Sequence, residues 1–233
     1  MQYNLLQKPE FSMVRFQFDG PGEAVLVEPS VMVAKDSAVT LKTQMQGGLF
    51  SAMKRKLLGG ESIFQNTYTS TQPGQSLYIA PGPEGDVEVV NVDGVTPIFL
   101  SSGAFLASAP SVTLDTKWGG SKGFFSGAGM FLLKAVGQGP LFFNAYGGIH
   151  KIDLAQYGGG YIVDTAHVVG WMGSMDYKVR SVGGLKSLFL SGEGLVCEFR
   201  GTGSLWISTR NPSSLAAFLN PFRPVQRRVQ SGS

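Results

Sequence analysis

Gly137-Gln138-Gly139-Pro140-Leu141-Phe142 and Gly201-Thr202-Gly203-Ser204-Leu205-Trp206 follow one pattern, and Pro73-Gly74-Gln75-Ser76-Leu77-Tyr78 stands in the same place a third time. The match extends outward in both directions. Gly127-Ala128-Gly129 answers Gly192-Glu193-Gly194, with Gly59-Gly60-Glu61 as a looser first copy. Upstream, the windows 24–48, 96–120 and 160–184 align without gaps, and each ends in a glycine pair: Gly47-Gly48, Gly119-Gly120 and Gly183-Gly184. Within them Val27, Phe99 and Val163 share one position, and Val33, Phe105 and Val169 share another. Phe18-Asp19, Val92-Asp93 and Ile152-Asp153 open the three units. A period of roughly 65–70 residues is the signature of a chain built from repeated supersecondary units. The units span about residues 14–82, 87–147 and 150–210, followed by a C-terminal segment at 211–233, all within a single compact body.

Inside each unit the periodicity is that of strands. Val14-Arg15-Phe16-Gln17-Phe18 alternates apolar and polar residues, as do Val87-Glu88-Val89 and, more loosely, Ile149-His150-Lys151-Ile152. Such short alternations, punctuated by Gly, Pro, Asn or Ser, predict roughly five or six short strands per unit. The recurrent glycines then supply positive φ at turns, or mark bulges and close sheet contacts where a Cβ would clash. The segment at 49–58 has helix-favouring composition, but the equivalent positions 121–126 and 185–190 are Gly-rich or β-like, so a strand or long hairpin is expected there. One helix is predicted. Asn211 supplies an N-cap, Pro212 the first helical position and Pro221 a stop, which delimits a short C-terminal helix.

Composition agrees with an all-β reading. The 233 residues include 32 glycines and 12 prolines, 43% are hydrophobic and only 15% charged. Glycine at about 14% is roughly twice ordinary usage, and each Gly inside a helix costs about 1 kcal/mol against Ala. A chain this apolar and weakly charged can bury enough surface to order itself, which excludes disorder. The net charge of +3 is too small to imply nucleic acid by itself. The single Cys197 forms no intrachain disulfide, no apolar run reaches the ~18 residues of a membrane span, and residues 1–10 lack a signal-peptide pattern. A cytoplasmic location is the expectation.

The chemistry-bearing candidates are sparse. His150 and His167, with Asp153 and Asp164, offer the one conceivable mixed metal set, against the usual role of lone strand histidines as solvated or core groups. Gly119-Gly120-Ser121-Lys122-Gly123 spells the nucleophile-elbow pattern, but Phe124-Phe125-Ser126-Gly127 does not continue as the helix that the elbow needs. Ser51-Ala52-Met53-Lys54 spells S-x-x-K without the companion motifs of that chemistry. No phosphate-binding or dinucleotide fingerprint is present, so neither enzyme nor cofactor is expected. Lys54, Arg55 and Lys56 are the best candidates for touching an anion, with Phe64 and Tyr68 nearby. A solvated hairpin tip that protects a sheet edge explains the same cluster. Arg223, Arg227 and Arg228 form a second basic group in the tail. The adjacent pairs Phe124-Phe125 and Phe142-Phe143 send one ring to each face of a strand. Each pair therefore needs a second sheet or another subunit as cover, and a subunit interface is the expected cover.

Three segments carry a family resemblance: Gly47-Gly48-Leu49 with Lys54-Arg55-Lys56-Leu57-Leu58-Gly59-Gly60-Glu61-Ser62-Ile63-Phe64, then Tyr161-Ile162-Val163-Asp164-Thr165-Ala166-His167-Val168-Val169-Gly170-Trp171, then Gly192-Glu193-Gly194-Leu195-Val196 with Gly201 to Arg210. Together they resemble the family named for altered inheritance of mitochondria, member twenty-four, in its prokaryotic form. The resemblance implies tandem, barrel-like β units akin to the Trp RNA-binding attenuator in pseudo-threefold arrangement, and a ring-like homotrimer. It carries over no catalytic residue. Eukaryotic members are associated with mitochondrial inner-membrane organisation, and this chain shows no transit peptide. The function expected is therefore a non-enzymatic oligomeric scaffold or interaction protein. The alternative is an anion, nucleic-acid or membrane-surface binder that uses the symmetric Lys54, Arg55 and Lys56 patch.

Overall fold

A computed structural model describes residues 1–45, 64–115, 124–125, 130–158, 160–181 and 195–223. The chain is all-β with a short C-terminal helix. Its strands are β1 (Gln2–Leu6), β2 (Met13–Gln17), β3 (Ala24–Val27), β4 (Met32–Lys35), β5 (Thr40–Met45), β6 (Phe64–Thr69) and β7 (Ser76–Ile79). They continue as β8 (Gly85–Asp93), β9 (Ile98–Ser101), β10 (Phe105–Ser108), β11 (Val112–Asp115), β12 (Phe124–Phe125) and β13 (Met130–Tyr146). The last are β14 (Ile149–Asp153), β15 (Tyr161–Asp164), β16 (Val168–Ser181) and β17 (Leu195–Ser208), followed by helix α1 (Pro212–Leu219). Among the described residues β1, β2, β7 and β4 form one sheet in that order. The rest form a second sheet along the path β14-β17-β16-β9-β13-β10-β3-β6-β5, with β8, β11 and β12 paired to β13 and β15 paired to β17.

Local sequence explains the strands. In β2 Val14 and Phe16 are buried while Met13, Arg15 and Gln17 are half-buried, as the alternation requires. The glycine phrase behaves differently from a hairpin turn in two of its three occurrences. Gly137 and Gly201 take φ of +118° and +117°, and a Cβ on either would collide with the main-chain oxygen of Ser111 or Ser174. These positions are bends and close approaches inside continuous strands, so β13 and β17 run on as long ribbons instead of the predicted short strands. The N-terminal half of β13 pairs with β9 and β11, and its C-terminal half with β8 and β10. The two halves of β17 divide in the same way between β15 and β14, with β16 alongside both. Around Pro73-Gly74, by contrast, β6 and β7 are separate strands and Gly74 closes a turn, its N–H donating to the Phe18 carbonyl at 2.8 Å.

Three apolar clusters form the core. One gathers Val14, Phe16 and Leu77 with Leu106 and Phe142. A second joins Leu100, Phe143 and Leu141 to Val169 and Trp206. The third holds Trp171, Phe199 and Leu205 with Phe99 and Leu132. Phe142 and Phe143 are both fully buried, on opposite faces, under sheets and strands of their own chain. The expected subunit cover is therefore not needed at this pair; the second-sheet alternative holds. The side chains of Phe124 and Phe125 lie outside the described residues.

The predicted C-terminal helix is present. Asn211 Oδ1 accepts the Ser214 N–H at 2.8 Å, Pro212 stands in the first turn, and a 3-10 turn at Asn220–Phe222 ends the element at Pro221. Among the described residues no helix is long and apolar enough to cross a membrane.

Candidate functional site

A concavity among the described residues lies where β13, β16 and β17 approach the start of α1. It is a cleft of about 370 Å³, near the lower end of ligand-site volumes. Ser101, Gly103, Asn144, Ser208 and Arg210 contribute to its lining, and an adjoining recess adds His167, Asn211 and Phe218. Tyr146 and Arg210 line both.

The position of His167 follows from strand register. The β16–β17 ladder sets Val168 opposite Ile207, so the residue before Val168 meets the residue after Ile207. His167 Nδ1 lies 2.8 Å from the Ser208 carbonyl oxygen. A carbonyl only accepts, so Nδ1 carries the proton and donates it. Nε2 is then an acceptor, and the Asn211 Nδ2 amide, 3.0 Å away, donates to it. Both ring nitrogens are committed, and the same Asn211 side chain caps α1 through its oxygen. His167 therefore clasps the helix to the sheet, and it can act as a base only by breaking that clasp. The ionisable groups among the lining residues are Tyr146, His167 and Arg210, which provide a cation and hydrogen-bonding groups but no carboxylate.

The other expected residues are dispersed. His150 sits exposed on β14 opposite Ile207. Asp153 accepts the Ala155 N–H at 3.0 Å and Asp164 the Ala166 N–H at 2.8 Å, so each carboxylate caps a short 3-10 turn. Among the described residues no group of three or more His, Cys, Asp or Glu is placed to hold a metal ion, and the mixed set His150, Asp153, Asp164 and His167 is not gathered. Tyr68 belongs to the first core cluster and is not a surface platform for stacking. Arg223 is exposed just beyond the helix. Cys197 is buried, and burial pushes its thiol up to about 12, which removes it as a nucleophile. Lys54, Arg55, Lys56, Ser51, Ser121, Arg227 and Arg228 lie outside the described residues. The Asn211 clasp was missed because the sequence shows only half of it. The Asn-Pro cap is visible locally, whereas its histidine partner is supplied by a ladder register.

A family model described as AIM24, mitochondrial biogenesis AIM24, matches residues 3–210. An uncharacterised protein of Streptococcus pyogenes serotype M6 is 31% identical over 233 residues, which is 97% of this chain and 92% of the relative. An X-ray structure of a protein from Streptococcus pyogenes is similar with a TM-score of 0.76 and 29% identity, over 95% of this chain and 99% of the other.

Proposed function

Given that the chain belongs to the mitochondrial biogenesis AIM24 family, we propose that it is a non-enzymatic oligomeric scaffold or interaction protein, a homotrimer of three-unit chains acting in the cytoplasm. Each unit, at about 14–82, 87–147 and 150–210, is read as one copy of a barrel-like β element of the Trp RNA-binding attenuator kind, as the family resemblance implies.

The pairing of equivalent strands supports the three-unit reading. Leu77, Leu141 and Leu205, the leucines of the repeated phrase, are all fully buried. On one side they face Phe16, Val90 and Ile152, and on the other Lys35, Ser108 and Trp171. The ladders β4–β7, β10–β13 and β16–β17 each carry a register shift, between Met32/Ala34, Phe105/Ala107 and Val168/Gly170. The bulge recurs at one place in three ladders, where Met32-Val33-Ala34, Phe105-Leu106-Ala107 and Val168-Val169-Gly170 each read apolar, apolar, small. Shared descent of the units accounts for it. The bulges also refine the sequence windows: Phe105 takes the place of Met32, and Leu106 that of Val33.

The observation that carries the scaffold reading is how units join. β3 pairs with β10 and β9 with β16, so one unit adds to the next through main-chain hydrogen bonds at a sheet edge. That mode of addition is indifferent to side-chain chemistry and extends to further copies. Light scattering of the full chain at micromolar concentration tests it. A mass three times the 24.9 kDa of one chain is expected, and a monomer overturns the proposal.

A further inference from the structure

The junctions between units within the chain specify what a third junction looks like. In the first, Val27 stands opposite Ala107 and Leu26 opposite Ser108. In the second, Leu100 faces Gly170, Phe99 faces Trp171 and Ile98 faces Met172. Each junction joins the strand holding Val27 or Phe99 to the bulged strand of the following unit. Two strands of the same kinds remain. β15 holds Val163 and pairs with β17, while β4 carries the bulge at Met32/Ala34 and pairs with β7. Among the described residues, no ladder occupies the second edge of either.

Exposure marks these edges as unfinished. At the bulge, Leu106 is 0% and Val169 3% exposed, whereas Val33 in the same place is 58% exposed and Met32 beside it is also exposed. On the opposing strand Phe99, which faces Lys134 as Ile162 faces Glu198, is 8% exposed, whereas Ile162 is 52% exposed. β4 reads Met-Val-Ala-Lys, without proline, and open apolar edges of this kind are what proteins ordinarily blunt or cover. The apolar clusters repeat the point. The first core draws on β10 and β13 of the second unit and the third on Phe99 and Leu132, but neither joins the first unit to the third.

We propose that β4 and β15 are the two halves of one interface between copies of this chain, with β15 of one copy pairing antiparallel to β4 of the next. The occupant of each open edge is thus a second copy, argued from continuity with the two junctions already formed. This rests on the oligomeric three-unit reading and adds the surface that makes it. The register follows from the internal junctions, which agree: Val163, equivalent to Val27 and Leu100, opposes Ala34, and Ile162, equivalent to Leu26 and Phe99, opposes Lys35. Such a contact is head-to-tail, and it closes into a ring when the rotation per copy divides a full turn.

The test uses the full chain with Lys35→Cys and Ile162→Cys together and a short bismaleimide, because this register sets Ile162 directly opposite Lys35. Covalent dimers and trimers are expected from the double variant, and covalent dimers only from an equimolar mixture of the two single variants, whose chains carry one engineered thiol each, with no crosslink from either single variant alone. Val33→Lys, at a position exposed in the lone chain, is expected to keep the circular dichroism spectrum and to raise the dissociation constant of the assembly at least about 30-fold. If the wild type assembles, yet no intermolecular crosslink forms and Val33→Lys assembles equally well, this interface is overturned while the oligomeric reading stands. A crosslink confined to one chain also overturns it, because the chain then closes on itself. A monomeric wild type removes both.

Discussion

Tyr3 meets Phe142 edge-on, with ring centroids 4.9 Å apart and planes at 90°. Phe16 approaches the same ring at 5.1 Å and 83°. On the other face of the strand Phe143 packs against Trp206 at 5.3 Å. The first strand and the second half of β13 are therefore bound into one core, although the whole first unit and most of the second separate them in sequence.

Phe142→Ala is expected to destabilise the chain by about 3–5 kcal/mol, the usual range for emptying a buried aromatic site. Tyr3→Ala, at a half-buried position, costs less. Urea denaturation reads both as a fall in midpoint at constant slope. An unchanged midpoint for Phe142→Ala contradicts the shared core.

Gly201→Ala and Gly137→Ala are expected to cost several times more than Gly74→Ala. All three glycines have positive φ, but a Cβ at Gly74 meets nothing within 4 Å, while at the other two it strikes a main-chain oxygen across the ladder. Strain alone is worth about 1 kcal/mol, and the collision adds to it by forcing strands apart. Thermal melts of the three variants in parallel provide the comparison, and equal losses contradict it.

Glu198 is hydrogen-bonded by Arg200 at 2.7 Å and Arg180 at 3.0 Å, and these two guanidiniums hold its carboxyl below the ordinary 4.5. A lowered folded-state value stabilises the fold above the unfolded value and loses that contribution as pH falls through the folded one. Glu198→Gln is accordingly expected to lower the melting temperature slightly near about pH 7 and to match the wild type near about pH 2. A difference that grows on acidification contradicts the assignment.

Asn211→Ala is expected to cost about 1 kcal/mol locally, as loss of an N-cap does, and to speed amide exchange through α1. Asn211→Asp retains the capping oxygen but lacks the amide donor to His167. It should restore protection at Ser214 without restoring the clasp to the sheet. Exchange rates equal to wild type in Asn211→Ala indicate that the helix is held by other contacts.

The β class was legible because the alternation of Val14, Arg15 and Phe16 and the punctuating glycines act over a few residues. The helix start was legible for the same reason, since Asn211 and Pro212 are adjacent in sequence and perform adjacent tasks. Strand length was not. Gly137 and Gly201 look like turn glycines until the approach of Ser111 and Ser174 shows that they bend a continuing strand.

The sequence by itself determined the strand-forming pattern, the glycine positions and the one capped helix, because these rest on backbone sterics and short-range periodicity. Only the tertiary structure decided that Phe142 is covered by Tyr3 and Phe16, that His167 belongs to Asn211, and that Val33 is left exposed where Leu106 and Val169 are buried. Those outcomes depend on which strands lie side by side and in what register, which pairs residues far apart in the chain and is encoded at no single position.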